Sequence, residues 1–191
     1  MTELPLELAK EILAKTTTEA HLFVHAQAVS AAMGAMAQHF GEDAALWQAI
    51  GWLHDVDYEQ YPEEHLQHTE ELLAPYDLDP AAVRAILAHG WGHCTDVEPL
   101  TPVEKSLFTV DELTGIIHAA ARMRPLGITD LEAKSAMKKF KDKKFAAKCD
   151  RAVILKGTEL LGMPIEQVME LCFEGMKPFA AELGLAPKEN G

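Results

Sequence analysis

The sequence predicts an all-α protein, a single bundle of eight to ten helices. Three observations carry this. Ala, Leu, Glu and Met are plentiful while aromatic residues make up only 7%, a composition of high helix propensity. Apolar residues recur three and four apart between helix-start residues. No run of strand length alternates apolar and polar side chains.

The elements follow in order. Thr2 to Lys15 has Leu4, Leu8 and Ile12 four apart and reads as a short amphipathic helix. Thr16-Thr17-Thr18 offers an N-cap for a longer helix that begins near Glu19 and stops at Gly41. Asp43 caps a third helix, Ala44 to His54, whose apolar face is Leu46, Trp47, Ile50 and Leu53. Asp57 to Pro62 is a break, and His65 to Ala74 is a fourth helix ahead of Pro75. Asp79-Pro80 starts a fifth, which ends near His89-Gly90, because Asp caps and Pro suits the first turn. Trp91 to Pro99 is a loop. Thr101-Pro102 opens a long sixth helix to about Arg122, closed by Arg124-Pro125. Thr129-Asp130 leads into a lysine-rich helix, and Asp150–Leu161 and Pro164–Leu183 complete the set. With no repeat, low-complexity tract or linker, residues 1–191 are expected to form one domain.

The three cysteines, Cys94, Cys149 and Cys172, are scattered and form no CxxC. They fit a reducing cytoplasm and apolar filler positions rather than a disulfide framework. The N-terminal stretch has no long apolar run, so neither a signal peptide nor a membrane span is expected. The net charge of −13 is uneven: residues 1–100 carry seventeen acidic and three basic side chains, whereas residues 134–151 hold eight of the seventeen Lys and Arg. Such acidity disfavours extended nucleic acid as a partner. The local basic stretch can serve either as a solvated helix face or as a contact for one small anion.

Nine histidines are many for this length, and most lie in the first 93 residues among the acidic side chains. His25 shares a helix face with Val29 and Met33 and so points inward. A lone buried histidine is most often held by a structural hydrogen bond. His54 and Asp55, however, close the third helix at the edge of its apolar face. Asp111 lies in the almost wholly apolar run Phe108–Ile117, where a carboxylate is costly to bury unless it is paired or bound to a metal. Two histidines and two carboxylates from three helices make a plausible site for a divalent ion.

The order His25 … His54-Asp55 … Asp111 resembles the HD-domain superfamily of metal-dependent phosphohydrolases, over roughly residues 20–125. The resemblance implies an all-helical HD-type domain with its core there and the C-terminal helices and basic segment at 126–185. It also implies further ligands. His65, in His65-Leu-Gln-His-Thr-Glu-Glu-Leu-Leu73, and His89, in Ala85-Ile-Leu-Ala-His-Gly90, match the family's extra metal-binding histidines. With these, one or two ions per chain (Mn, Fe, Co, Ni, Zn or Mg) are implied, with Asp55 able to bridge a pair. The family often has Gly-Lys where this chain has Asp57-Tyr58, and the Gly-Tyr-Pro signature of cyclic-di-nucleotide phosphodiesterases is missing.

The implied reaction is hydrolysis of a small phosphorylated molecule, a phosphomonoester or nucleotide, by metal-activated water. Asp57 is then a candidate to orient the water or act as general base beside Asp55, against a plain capping role. Lys138 and Lys141 are the candidates for a phosphate contact. His68 and His93 read as surface positions, His21 as standing behind His25, His39 and His118 as structural, and Trp52 and Trp91 as core or rim. The resemblance leaves two alternatives: a di-iron oxygenase of the same superfamily, and a non-catalytic HD-fold module that binds a ligand. A homo-oligomer is compatible with either.

Overall fold

The computed structural model describes residues 3–188 and is all-α, with nine α-helices and no strand among the described residues. Thr2, the expected start of the first helix, lies outside the described residues. α1 (Leu6–Thr16) begins only after Pro5, which is extended at ψ 152°. Proline also disfavours the helical conformation in the residue before it, so Leu4 packs into the core outside the helix.

α2 (Ala20–Phe40) is the central helix and packs on α3, α6 and α9. Its start differs from expectation. Thr16 belongs to α1 and bonds back to the Leu13 carbonyl. The orphan N–H groups of Thr18 and Glu19 are instead taken by the Glu59 carboxylate, at 2.8 and 3.0 Å, which also accepts from the Thr18 hydroxyl. A side chain forty residues along the chain therefore does the work of the expected local cap. At the other end Gly41 takes the left-handed conformation (φ 72°) and returns its N–H to Ala37 and Gln38.

α3 (Ala44–Leu53) starts where Asp43 accepts from the Ala45 and Leu46 N–H groups. It crosses α2 where Gly51 lies against Ser30 and Met33; a Cβ at Gly51 would stand 3.1 Å from the Ser30 Cα. The fourth helix is much shorter than expected. α4 spans only Thr69–Leu73, because Leu66 adopts φ 68° and breaks the chain direction. His65 thus sits in a turn rather than on a helix. α5 (Pro80–Ala88) is capped by Asp79 and leaves His89 at its C-terminal cap.

α6 (Pro102–Arg122) opens with a Thr101/Glu104 capping box. Glu104 is also ion-paired to Arg84 of α5, which ties the two helices together. α7 (Ala133–Lys141) starts three residues later than Asp130, whose carboxylate is clamped by Arg124 at 2.6 and 2.8 Å and does not cap. α8 (Arg151–Leu161) has the expected Asp150 cap, and the Arg151 guanidinium binds carbonyls of the 140–149 segment. α9 (Ile165–Met176) stops short of Leu183 at a 3-10 turn, Lys177–Phe179. Pro178 there cannot donate to a continuing helix.

One core runs from Leu4 to Leu185, with Val29, Met33, Ile50, Leu53, Leu113, Ile116 and Cys172 at its centre. Of the three cysteines only Cys172 is a buried filler; Cys149 is half-buried and Cys94 exposed, the latter because it sits in the open loop after α5. No helix among the described residues is long and apolar enough to cross a membrane.

Candidate metal centre

Six side chains from five segments converge where α2, α3, α5 and α6 meet. His25 projects from the second turn of α2 and Asp111 from the middle of α6. His54 and Asp55 follow the last turn of α3, His89 follows α5, and His65 comes from the turn before α4. His54 is fully buried and His25 is the most open, at 30% exposure.

The ligand-type atoms face one another. The His25 Nε2 lies 3.1 Å from the His54 Nε2 and 2.9 Å from an Asp111 oxygen. His54 Nε2 is 3.3 Å from both Asp111 Oδ1 and Asp55 Oδ2. The second Asp55 oxygen, Oδ1, faces the other way, 3.3 Å from His65 Nε2 and 3.7 Å from His89 Nε2. His65 and His89 place their Nε2 atoms 3.3 Å apart. Ligand bonds of about 2.1 Å put neighbouring ligand atoms about 3.0 Å apart in an octahedron and about 3.4 Å in a tetrahedron. The spacings of 2.9–3.3 Å are close to those polyhedron edges, and the Asp55 contacts with His25 and His89 are longer, at 3.7 Å. In three overlapping triplets of donors the ligand atoms all lie within 4.8 Å of one another: His25/His54/Asp55, His54/His89/Asp111 and Asp55/His65/His89.

The far sides of the rings are fixed. His54 Nδ1–H donates to the Gly51 carbonyl at 2.8 Å, and His89 Nδ1–H to Ile86 at 2.6 Å. His65 Nδ1–H donates to Asp57 at 2.9 Å. Each bond leaves the Nε2 lone pair aimed into the cluster, the tautomer a metal requires. Nitrogen lone pairs 3.1–3.3 Å apart need a proton or a cation between them, so the donor set fits a metal ion.

Asp57 is fully buried and turned away from the cluster's interior. Besides His65 it accepts from the Thr69 hydroxyl at 3.1 Å and the His68 N–H at 3.3 Å. Burial would raise its pKa, but the hydrogen bond from His65 brings it below the ordinary value. Electrostatics within the cluster follow the same logic. Burial works against charge on Asp55 and Asp111, yet the adjacent histidines hold both below the usual carboxylate range. Burial also opposes protonation of His54, and the Asp55 and Asp111 carboxylates override it and raise its pKa well above the ordinary value. Burial pushes His89 down to about 4.

Two cavities are lined by residues of the cluster. One, of about 260 Å³, is lined by His65, His89 and Asp111 together with His93, Cys94, Glu112 and Asp150. The other, of about 580 Å³, opens beside His25 between α2, α6 and the 181–184 turn. Lys138 and Lys141 are exposed on α7 and line neither cavity. His21 is exposed on the wall of the second cavity, near Glu19. His118 in the same wall bonds the Leu183 carbonyl at 3.0 Å. Burial, and then the nearby Arg122 and His25 charges, lower its pKa.

Glu112 did not stand out in the sequence. It lines the smaller cavity and binds the Asp150 N–H at 2.9 Å. Burial, then the Asp111 charge, push its pKa up to about 7. A signal was present: Glu112 shares the apolar run that singled out Asp111. Gly51, whose carbonyl orients His54, and Thr69, which braces Asp57, carried no such signal.

No protein-family model matches this chain, nor does any curated protein or solved structure.

Proposed function

We propose that the cluster holds two divalent metal ions and hydrolyses a small phosphorylated molecule, in the manner of the HD-type enzymes that the His25 … His54-Asp55 … Asp111 order resembles. One observation carries the reading: the two oxygens of Asp55 are divided between two histidine pairs, Oδ2 toward His25 and His54 and Oδ1 toward His65 and His89. That is the arrangement of a bridging carboxylate. In this reading His25, His54 and Asp111 hold one ion with Asp55, and His65 and His89 hold the other.

Bound ions would lower the pKa of a coordinated water and neutralise charge on a phosphoryl group. The chain's own contribution is to aim the donors. The Gly51 and Ile86 carbonyls and Asp57 lock three imidazoles in the metal-binding tautomer. Asp57 therefore acts as a positioning residue for His65 rather than as the base. Glu112, on the wall of the smaller cavity, is the carboxyl group available to exchange a proton there. The reading gives the phosphate contact to the ions, because Lys138 and Lys141 line neither cavity.

A second reading, a di-iron oxygenase, is favoured by the wall of that smaller cavity. It carries Asp111, Glu112 and Asp150 but no Lys or Arg to receive a phosphate. Elemental analysis and turnover separate the two. Phosphate release from nucleotides or sugar phosphates by protein loaded with Mn²⁺ or Mg²⁺ supports hydrolysis. Iron in the isolated protein with oxygen-dependent turnover, and no phosphate release, replaces it with the oxygenase. Metal bound with neither activity leaves a ligand-binding module.

A further inference from the structure

The larger cavity has a chemistry of its own. It runs from His25 along α2 and α6, with Val24, Ala28 and Leu183 giving it apolar walls. Arg122 is among its lining residues. Three of the four arginines are committed to the fold: Arg84 to Glu104, Arg124 to Asp130, and Arg151 to carbonyls of the 140–149 segment. Arg122 makes no such ion pair or hydrogen bond among the described residues and is exposed on the cavity wall. His21 also lines the cavity, and Glu182 is the one carboxylate among the lining residues.

Arg122 also sits in the last turn of α6, where a cation complements the helix dipole. That role needs only a charge near the helix end. It does not account for a free guanidinium on the wall of a cavity that is also lined by His25 of the cluster. Arg122 lies about three turns beyond Asp111 on the same helix, about 16 Å along its axis. A single phosphate cannot span that distance.

We infer that this groove is a ligand subsite. It takes an elongated small molecule with two anionic groups, one at the metal cluster and one at Arg122, and a less polar body between them. The inference rests on the metal-centre reading for the first anion. A guanidinium forms paired, charge-assisted hydrogen bonds with phosphate-type groups, and the apolar walls suit the body of the ligand.

The test uses probes that cannot be hydrolysed. Octane bisphosphonate and octane monophosphonate are titrated by calorimetry into Mn²⁺-loaded protein, wild type and Arg122→Gln. The expected result is an about tenfold weaker bisphosphonate affinity in the variant, with the monophosphonate changed less than about twofold. Lys156→Gln, which removes a surface charge on α8, serves as the control for general electrostatics. Equal bisphosphonate affinity in wild type and Arg122→Gln overturns the inference. So does equal loss for both probes, or no bisphosphonate binding by wild type at millimolar concentration. Phosphate release is measured separately on the same protein. If it fails while the bisphosphonate arm holds, the hydrolase reading falls and the subsite stands.

Discussion

Replacing Asp57 with asparagine keeps the shape of a fully buried side chain and removes its charge. The carboxylate accepts three hydrogen bonds: from His65 Nδ1 at 2.9 Å, Thr69 Oγ at 3.1 Å and His68 N at 3.3 Å. Asparagine has one oxygen for them. If that oxygen stays with His68 and Thr69, the amide N–H₂ meets His65. The ring must then shift its proton to Nε2 and lose the lone pair that faces His89 and Asp55. If the amide flips, its N–H₂ opposes the His68 N–H instead. Losing charge-assisted bonds to a buried group costs about 2–3 kcal/mol, or about 5–10 °C in melting temperature for a chain of this size. Removing a partner that orients a ligand imidazole costs about 10–100-fold in metal affinity. D57N should therefore weaken the ion held by His65 and His89 by that factor and leave the ion at His25, His54 and Asp111 close to wild type. A competition titration with a chromophoric chelator resolves the two sites. Unchanged affinity at both sites, or simultaneous loss of both in a folded protein, would refute the account of Asp57.

Other expectations follow from single residues. Glu112 has a folded pKa of about 7 against an ordinary 4.5. A carboxyl with a raised pKa contributes stability that is present below about 4.5 and lost as pH rises through about 7. In metal-free protein E112Q should be about 1–2 kcal/mol more stable than wild type at pH 8, after discounting for partial exposure, and equal to it near pH 4. Urea melts at the two pH values measure this, and a pH-independent difference would exclude it. G51A forces a methyl group to within 3.0 Å of Met33 and 3.1 Å of the Ser30 backbone; it should cost about 1–3 kcal/mol by overpacking the α2–α3 crossing and lower metal affinity by moving the carbonyl that holds His54. A D43A variant, which removes the α3 cap, should cost about 1 kcal/mol without changing metal content, so melting and metal analysis together separate packing at the site from helix stability in general. Thiol titration should label exposed Cys94 in the native protein and Cys172 only on unfolding, since burial pushes the Cys172 thiol up to about 12.

What could be read from the sequence was local in origin. Asp43, Asp79 and Asp150 cap the helices that follow them, and the Thr101/Glu104 box opens α6. Each signal lies within four residues of its effect. The inward face of His25 and the cost of burying Asp111 were legible for the same reason, as properties of one helix. Other features depend on partners distant in the chain. Glu59 supplies the cap that Thr16–Thr18 were expected to give, and nothing near residue 19 indicates it. The positive φ of Leu66 is not a residue preference; it comes with the packing that brings His65 against Asp57. Asp57, two residues from Asp55, could be read from the sequence either as a base or as a plain cap. The turn after α3 sends the two side chains in different directions. The basic segment at 134–151 stood out as a charge pattern, whereas Arg122, on the wall of the larger cavity, stands alone in an alanine-rich stretch and had no pattern to mark it.

The central claim is that the cluster binds metal through Asp55 as a bridge. Equilibrium dialysis against Mn²⁺ with elemental analysis, on wild type and on the H54A/D55N double variant, tests it most directly. The account predicts about two ions per chain in wild type and near-complete loss in the variant, with helical circular dichroism retained. A folded wild type that binds no ion, or a variant that keeps the wild-type metal content, would contradict it.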